Sequence, residues 1–250
     1  MQKSQTKTFA YVSLLILSYR IVYYAYIGII HPIPALGDSW DYHIPISQSI
    51  LSGTFLTLPH ATVAQWYYPG SAEAINALFL LLHIPLTLSN LFAVLVLFVV
   101  CFVLGRTFRL HFYLSILFAA MVCGLNVFVR WYNAVSIDVW VAVFFLLGII
   151  LLEKPRKSYL YFATLGFVLG MLIGSKYTAC LFAVILVVLY WKPIISNISF
   201  GRLITFIIPF SIFGLFWYIR NAVLKHNPFY PMPLLDCCVL GGKSQTVTLP

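Results

Sequence analysis

Seven long apolar stretches dominate the sequence. They cover residues 9–30, 86–104, 112–129, 137–152, 159–173, 177–191 and 203–218. Hydrophobic residues make up 62% of the 250-residue chain and charged residues only 8%, whereas soluble domains carry about 25% charged residues. Because about 20 apolar residues span a bilayer as a helix, the pattern predicts an all-α polytopic membrane protein with about seven transmembrane helices.

An eighth apolar stretch, residues 72–82, is flanked by prolines and has the length of a re-entrant or interfacial helix rather than a span. It falls in a large first outer loop, residues 31–85. A second segment of this loop, residues 43–53, is amphipathic and able to lie in the membrane interface. The residues that can share its apolar side are Ile44, Ile46, Ile50 and Leu51.

Charge predicts the orientation of the spans. With a cytoplasmic N-terminus, the turns at residues 105–111, 153–158 and 191–202 all lie inside, and each is net basic, as the positive-inside rule requires. Counting residues 72–82 as a span would move the first two turns outside. We therefore predict a multi-pass integral protein of the cell (inner) membrane, in contact with membrane lipids. No basic block with interleaved aromatics occurs, so nucleic acid is not an expected partner.

Acidic residues gather on the predicted outer side, which holds five of the six in the chain: Asp38, Asp41, Glu73, Asp138 and Asp236. Two of them lie in the stretch GDSWDYH. A carboxylate at headgroup depth can deprotonate an acceptor hydroxyl or amine, or bind a metal ion. The alternatives are that Asp38 or Asp138 caps a helix and that Asp41 is solvated. Glu73 fits the first turn of a helix, where it complements the dipole.

Aromatic and basic residues accompany these acids. Tyr42 and Tyr68 suit the membrane boundary and can stack on sugar rings. His43 is either a ligand or proton carrier, or a hydrogen-bonded structural residue. The outer side also carries Arg130, Lys176, Arg220 and Lys225. These cations either bind a lipid-linked phosphate or snorkel to lipid headgroups.

Several motifs follow one another along nearly the whole chain. In order, they are GDSWDYHIPIS, YYPGSAEAINALF, SID at the fourth predicted span, LGMLIGSKYTA and WYIRNAVLKHNPFYP. This series resembles the membrane-embedded GT-C glycosyltransferases that use polyprenyl-phosphate sugars. The bacterial branch of that family includes aminoarabinose lipid A transferases and relatives of protein O-mannosyltransferases.

The resemblance implies a conserved seven-span module, residues 1–219, followed by a further outer loop, residues 220–250. Family members usually continue through more spans, so a fragment is expected. The resemblance also implies site residues. Asp38, followed four positions later by Tyr42, would be the catalytic base, with Asp41 second and Asp138 as the second acid of the site. Lys176 and Arg220 would bind the lipid phosphate. His43, Tyr42 and Tyr68 are the further candidates for substrate contact, on the grounds of residue type and position given above.

The predicted activity is therefore transfer of a sugar from a polyprenyl-phosphate carrier to a lipid, glycan or protein acceptor at the outer membrane face. A transporter or flippase of lipid-linked intermediates is the alternative. That class needs ionisable residues within spans and related halves of the chain, whereas Arg20 is the main such residue and no repeat occurs. Two nearby aspartates are ligands that suit a divalent metal, but they are too few to predict a site.

Overall fold

The computed structural model describes residues 3–34, 37–56, 64–129 and 132–232, and every regular element in these ranges is a helix. The α-helices are α1 (Lys3–Ile30), α2 (Ile44–Ser52), α3 (Glu73–Leu81), α4 (Ser89–Thr107), α5 (Phe112–Cys123), α6 (Asn126–Val129), α7 (Asp138–Glu153), α8 (Tyr159–Ile173), α9 (Thr178–Leu189), α10 (Trp191–Asn197), α11 (Phe200–Phe210) and α12 (Phe216–Lys225). Two π-helical turns, Ser39–His43 and Ser211–Leu215, complete the elements used below. The prediction of an all-α protein is confirmed for these ranges.

Three continuous helical segments in the described ranges are long and apolar enough to cross a membrane: Ser4–Ile30, Leu86–Thr107 and Phe200–Lys225. Helices α9 and α10, bent by 70° at their junction, would make a fourth if they form one span. All seven predicted stretches fall on helices, but α5, α7 and α8 have only 12, 16 and 15 residues. Helix lengths therefore support three or four spans, fewer than the predicted seven.

The shortfall has two sources. Helices α7 and α8 are unbroken but no longer than the short stretches that predicted them, with 16 and 15 residues, and one further stretch is divided by a break. The predicted stretch 112–129 is interrupted because α5 ends at Cys123, with Gly124 as its C-cap, and the four-residue α6 follows. At the other end of the chain the predicted stretch 203–218 is too short. Its helix continues through the π-helical turn after Pro209 to Lys225, so the predicted beginning of the outer tail at Arg220 lies inside α12.

The long helices pack in a row. Helix α1 packs on α5, α5 on α4, α4 on α7, α7 on α8, and α8 on α11, while α9 packs on both α7 and α8. Helix α4 lies within this row, and Val94, Leu97 and Cys101 on it are fully buried. The short helices α2 and α3 pack on each other, and α3 also contacts α4.

Glycines bring α8 unusually close to α11 and the π-helical turn that follows it. A methyl group added at Gly166 would collide with the Phe206 carbonyl, and one at Gly174 with the Phe213 carbonyl. At Gly170, midway between them, it would lie 3.1 Å from Phe210 Cα. Spacing small residues at every fourth position lets helix backbones approach closely, as in membrane helix pairs.

The segment between α1 and α4 contributes two short helices. Helix α2 ends at Gly53, whose φ of 75° is the left-handed conformation that favours glycine at a helix end. Of the four apolar residues named for this segment, Ile44 and Ile46 are buried against the protein, whereas Leu51 is 47% exposed. Helix α3 has nine residues, a length of about 14 Å, too short to cross a bilayer core of about 30 Å.

Candidate functional site

A cavity of about 110 Å³ lies where α7 and α9 begin and α8 ends. A single bound water needs roughly 10–15 Å³ of such space. The cavity therefore accommodates a group several waters in size. The residues that line it come from five separate parts of the chain: Tyr42, Tyr68, Pro69, Glu73, Ile137, Ser175, Lys176, Tyr177, Thr178 and Met232.

Hydrogen bonds hold the segment between α1 and α4 against the residues that precede α7. Ser39 Oγ donates to the Val135 carbonyl at 3.1 Å and accepts from the Val135 amide at 3.0 Å. The Trp66 indole donates to the Asp41 carbonyl at 2.9 Å. The π-helical turn that carries Tyr42 is therefore fixed between the residues preceding α7 and the later part of its own loop.

Three tyrosine rings form one side of the cavity. Tyr42 and Tyr68 meet edge to face with centroids 5.8 Å apart, and Tyr68 and Tyr177 do so at 5.7 Å. The Tyr177 hydroxyl donates to the Tyr230 carbonyl at 2.6 Å. Within the described ranges the hydroxyls of Tyr42 and Tyr68 make no hydrogen bond, so both are available to a ligand.

The Tyr42 phenol is surrounded by negative charge. Burial, and then the carboxylates of Asp38, Glu73 and Asp138, raise its pKa above the ordinary value. Tyr42 therefore keeps its proton at physiological pH and acts as a hydrogen-bond donor. Glu73 lines the cavity together with Tyr42, and Asp138 pairs with Lys176 at its mouth.

Lys176 and Asp138 form an ion pair at the mouth of the cavity. Lys176 Nζ lies 2.6 Å from Asp138 Oδ1, and the two side chains are 44% and 42% exposed. The Ser136 hydroxyl also donates to Asp138 Oδ2 at 3.4 Å. Neither of these two bonds of Asp138 is a side-chain cap at the beginning of α7. Because pairs exposed to this extent contribute little to stability, Lys176 remains able to bind a second anion.

His43 and Glu73 form a buried pair behind Tyr42. His43 Nδ1 lies 2.9 Å from Glu73 Oε1, with the side chains 4% and 1% exposed. The Tyr42 and His43 rings are 4.1 Å apart. His43 does not line the cavity, which fits the structural alternative for this residue. Glu73 does line it, although its sequence position indicated only a complement to the helix dipole.

A groove of about 360 Å³ continues from the cavity between α7 and α9. Lys176 and Thr178 line both spaces. Beyond Asp138 and these two residues the walls of the groove are apolar: Val141, Ala142, Phe145 and Phe182. A cavity lined by tyrosines and a groove with apolar walls thus meet at the Asp138–Lys176 pair.

The two aspartates of the GDSWDYH stretch are both exposed, in or next to the π-helical turn. Asp38 makes no side-chain capping bond there, so the capping alternative for this residue is wrong. Its carboxylate instead acts electrostatically on Tyr42. Asp41 is held through its backbone carbonyl, and its carboxylate is not among the cavity-lining groups.

Arg220 does not line the cavity. It is buried on α12, 6% exposed, with its guanidinium 4.9 Å from the Trp217 ring centroid. Its Nη2 donates to the Tyr67 carbonyl at 2.9 Å and to Asn221 Oδ1 at the same distance. These bonds give Arg220 a positioning role next to Tyr68. Arg130 and Asp236 lie outside the described residues, and Lys225 lies over the rings of Tyr67 and Tyr230.

No group of three or more histidine, cysteine, aspartate or glutamate side chains in the described ranges is arranged to hold a metal ion. The three acids around Tyr42 are thus a charged environment for a hydroxyl rather than a recognisable ligand set.

Comparison with known proteins gives a family without an assigned function. Residues 67–241, more than half of the chain, match the family described as "Domain of unknown function (DUF8201)". The chain belongs to this family. No curated protein and no solved structure matches it. The DUF8201 region contains Glu73, Asp138 and Lys176, together with both walls of the groove, while Tyr42 and Asp38 precede it.

Other cavity residues of the DUF8201 region were missed by sequence reasoning. Ser175 and Tyr177 flank Lys176, so the GSKYTA turn, chosen for its lysine alone, supplies four lining residues in succession from Ser175 to Thr178. Met232 comes from beyond α12 and carried no signal. Glu73 did carry a signal, because carboxylates and histidines such as its partner His43 are each rare in so apolar a chain.

Proposed function

We propose that this protein is an inverting, membrane-embedded glycosyltransferase that moves a sugar from a polyprenyl-phosphate carrier to an acceptor at the outer face of the membrane. The observation that supports this most strongly is that, at Lys176, a tyrosine-lined cavity with hydroxyl and carboxylate groups in its wall meets a groove with apolar walls. A lipid-linked sugar phosphate has the same three parts in the same order: a polar ring, an anion and an apolar chain.

Each part of the donor has a complementary surface. The sugar occupies the cavity against Tyr42 and Tyr68, whose hydroxyls donate to its oxygens. The phosphate binds the Lys176 ammonium, since charge-assisted hydrogen bonds to phosphate are the strong ones. The first isoprene units follow the groove between α7 and α9. Asp138 pairs with the same ammonium where the two spaces meet, and the phosphate competes with it.

Asp38 is the proposed general base. It is exposed to the aqueous side, where an acceptor arrives, and its charge reaches Tyr42 in the cavity wall. Its carboxylate takes the proton of the acceptor hydroxyl or amine while that oxygen or nitrogen bonds to the anomeric carbon. The bond from the anomeric carbon to the phosphate oxygen breaks, and the lipid phosphate leaves with the electron pair. Direct attack inverts the anomeric centre.

The proposal includes the full seven-span arrangement of a GT-C module with a cytoplasmic N-terminus. Helix α7 supports it by running from Asp138 at the cavity to Glu153 beside the basic turn, a distance of about 24 Å. An acid of the site and a basic turn thus lie at opposite ends of α7. This separation is what an outer active site and a positive inner face require.

The proposal is tested by transfer from a radiolabelled polyprenyl-phosphate sugar in membranes that supply the acceptor. Asp38→Asn should abolish transfer while the protein still inserts and binds the donor, because an amide cannot take the proton. Glu153→Gln makes the same chemical change at the far end of α7 and should leave transfer unchanged. Normal turnover in the Asp38→Asn variant would rule out Asp38 as the base, and no transfer by the wild-type protein would rule out the activity.

A further inference from the structure

Glu73 has one carboxylate oxygen in use and one that is not. Oε1 is in hydrogen-bond contact with His43 Nδ1 at 2.9 Å. Oε2 is buried and has no hydrogen-bond partner within the described part of the chain. A buried acceptor without a partner costs free energy, and no donor for this oxygen comes from the described residues.

The position of Glu73 indicates where a donor would come from. Its side chain forms part of the cavity wall, together with Lys176 and the tyrosines. The terminal torsion of a glutamate is broad, so a small rotation brings Oε2 towards a group in the cavity while Oε1 stays on His43. His43 is buried and directly follows Tyr42 in the same π-helical turn, which restricts how far the carboxylate can move.

We propose that Glu73 recognises the sugar by accepting a hydrogen bond from one of its hydroxyl groups through Oε2. This rests on the proposed function and adds to it the residue that selects the donor. Lys176 at the mouth of the cavity binds the phosphate, and Glu73 in the cavity wall accepts a hydrogen bond from a hydroxyl group of the sugar ring. A lipid phosphate without a sugar satisfies Lys176 but leaves Oε2 unpaired, which disfavours it relative to the complete donor.

The test measures equilibrium binding to the purified chain in detergent. One probe is citronellyl phosphate, which has a phosphate and a short isoprenoid chain. The others are citronellyl-phospho-sugars with glucose, mannose, xylose or arabinose heads. We expect at least one sugar head to bind more tightly than citronellyl phosphate. Glu73→Gln should remove about 10- to 100-fold of that affinity, because a neutral amide cannot replace the charge-assisted hydrogen bond that the hydroxyl donates to a carboxylate.

Citronellyl phosphate reports on folding. It should bind Glu73→Gln as tightly as it binds the wild type, and Glu153→Gln, a matched change outside the cavity, should bind every probe like the wild type. A Glu73→Gln protein that keeps the whole sugar-dependent gain would overturn the inference.

Wild-type protein provides a second test that needs no variant. Among monodeoxy versions of the preferred sugar, one should lose a similar factor in affinity because it lacks the hydroxyl that Glu73 accepts. If every monodeoxy probe bound like the parent, the inference would be wrong while the proposed function stood. If citronellyl phosphate itself did not bind the wild type, the proposed function would fail and this inference with it.

Discussion

In the proposed function, donor binding depends most on Lys176. It lines both the cavity and the groove, and its one ionic partner in the described ranges is the half-exposed Asp138. A phosphate at this point adds a second anion to the same ammonium group. Under the proposed function, the Lys176–Asp138 pair contributes little to stability, and its ammonium group is the binding point for the phosphate.

Replacing Lys176 separates charge from packing. Lys176→Met should weaken citronellyl phosphate binding by about 10- to 100-fold, the loss of a charge-assisted contact. Lys176→Arg should keep most of the affinity. Asp138→Asn removes the competing negative charge and should leave phosphate binding equal or tighter. Weaker phosphate binding in the Asp138→Asn variant, measured by the same titration, would contradict this assignment.

At the scale of elements, the contact between α8 and α11 decides the shape of the site. The end of α8 carries Gly174, and Ser71 from the loop donates its amide to the Gly174 carbonyl at 2.8 Å. Ser71 Oγ in turn accepts from the Trp217 indole at 2.6 Å. The close approach of α8 to α11 thus carries the GSKYTA turn into contact with the segment that bears Glu73.

A single methyl group tests this contact. Gly166→Ala should lower the free energy of unfolding by about 1–3 kcal/mol, the usual cost of overpacking, because the added carbon meets the Phe206 backbone. Gly201→Ala meets only the ring of the exposed Tyr159, so it should be near neutral. Thermal unfolding in detergent compares the two, and equal midpoints would show that the α8–α11 contact tolerates a side chain.

At the scale of the whole molecule, sequence reasoning located the helices better than their lengths. Each apolar stretch falls on a helix because hydrophobic runs of this kind favour helix in any apolar environment. Lengths failed where a local break intervened, as at Gly124, or where helix continued through polar residues, as at Arg220. These outcomes depend on tertiary contacts that periodicity does not contain.

The same limit applies to the site. Lys176, Tyr42 and Tyr68 were predicted, and the structure brings them together. Glu73 was not, because its partner His43 is 30 residues away in sequence and a first-turn glutamate already has a local explanation. Arg220 was expected to bind phosphate, yet its guanidinium turns to the Tyr67 carbonyl. Residue type and spacing do not show which way a side chain points.

The proposed mechanism depends on Asp38 and the other acids of the site lying on the outer side of the membrane. Asp38 and the basic-turn residues Lys154 and Arg156 are all exposed, so single cysteines at these positions in a cysteine-free background are reachable by a membrane-impermeant maleimide. In intact cells, position 38 should be labelled, and positions 154 and 156 only after permeabilisation. Labelling of position 38 together with positions 154 and 156, from the same side, would contradict the proposed mechanism.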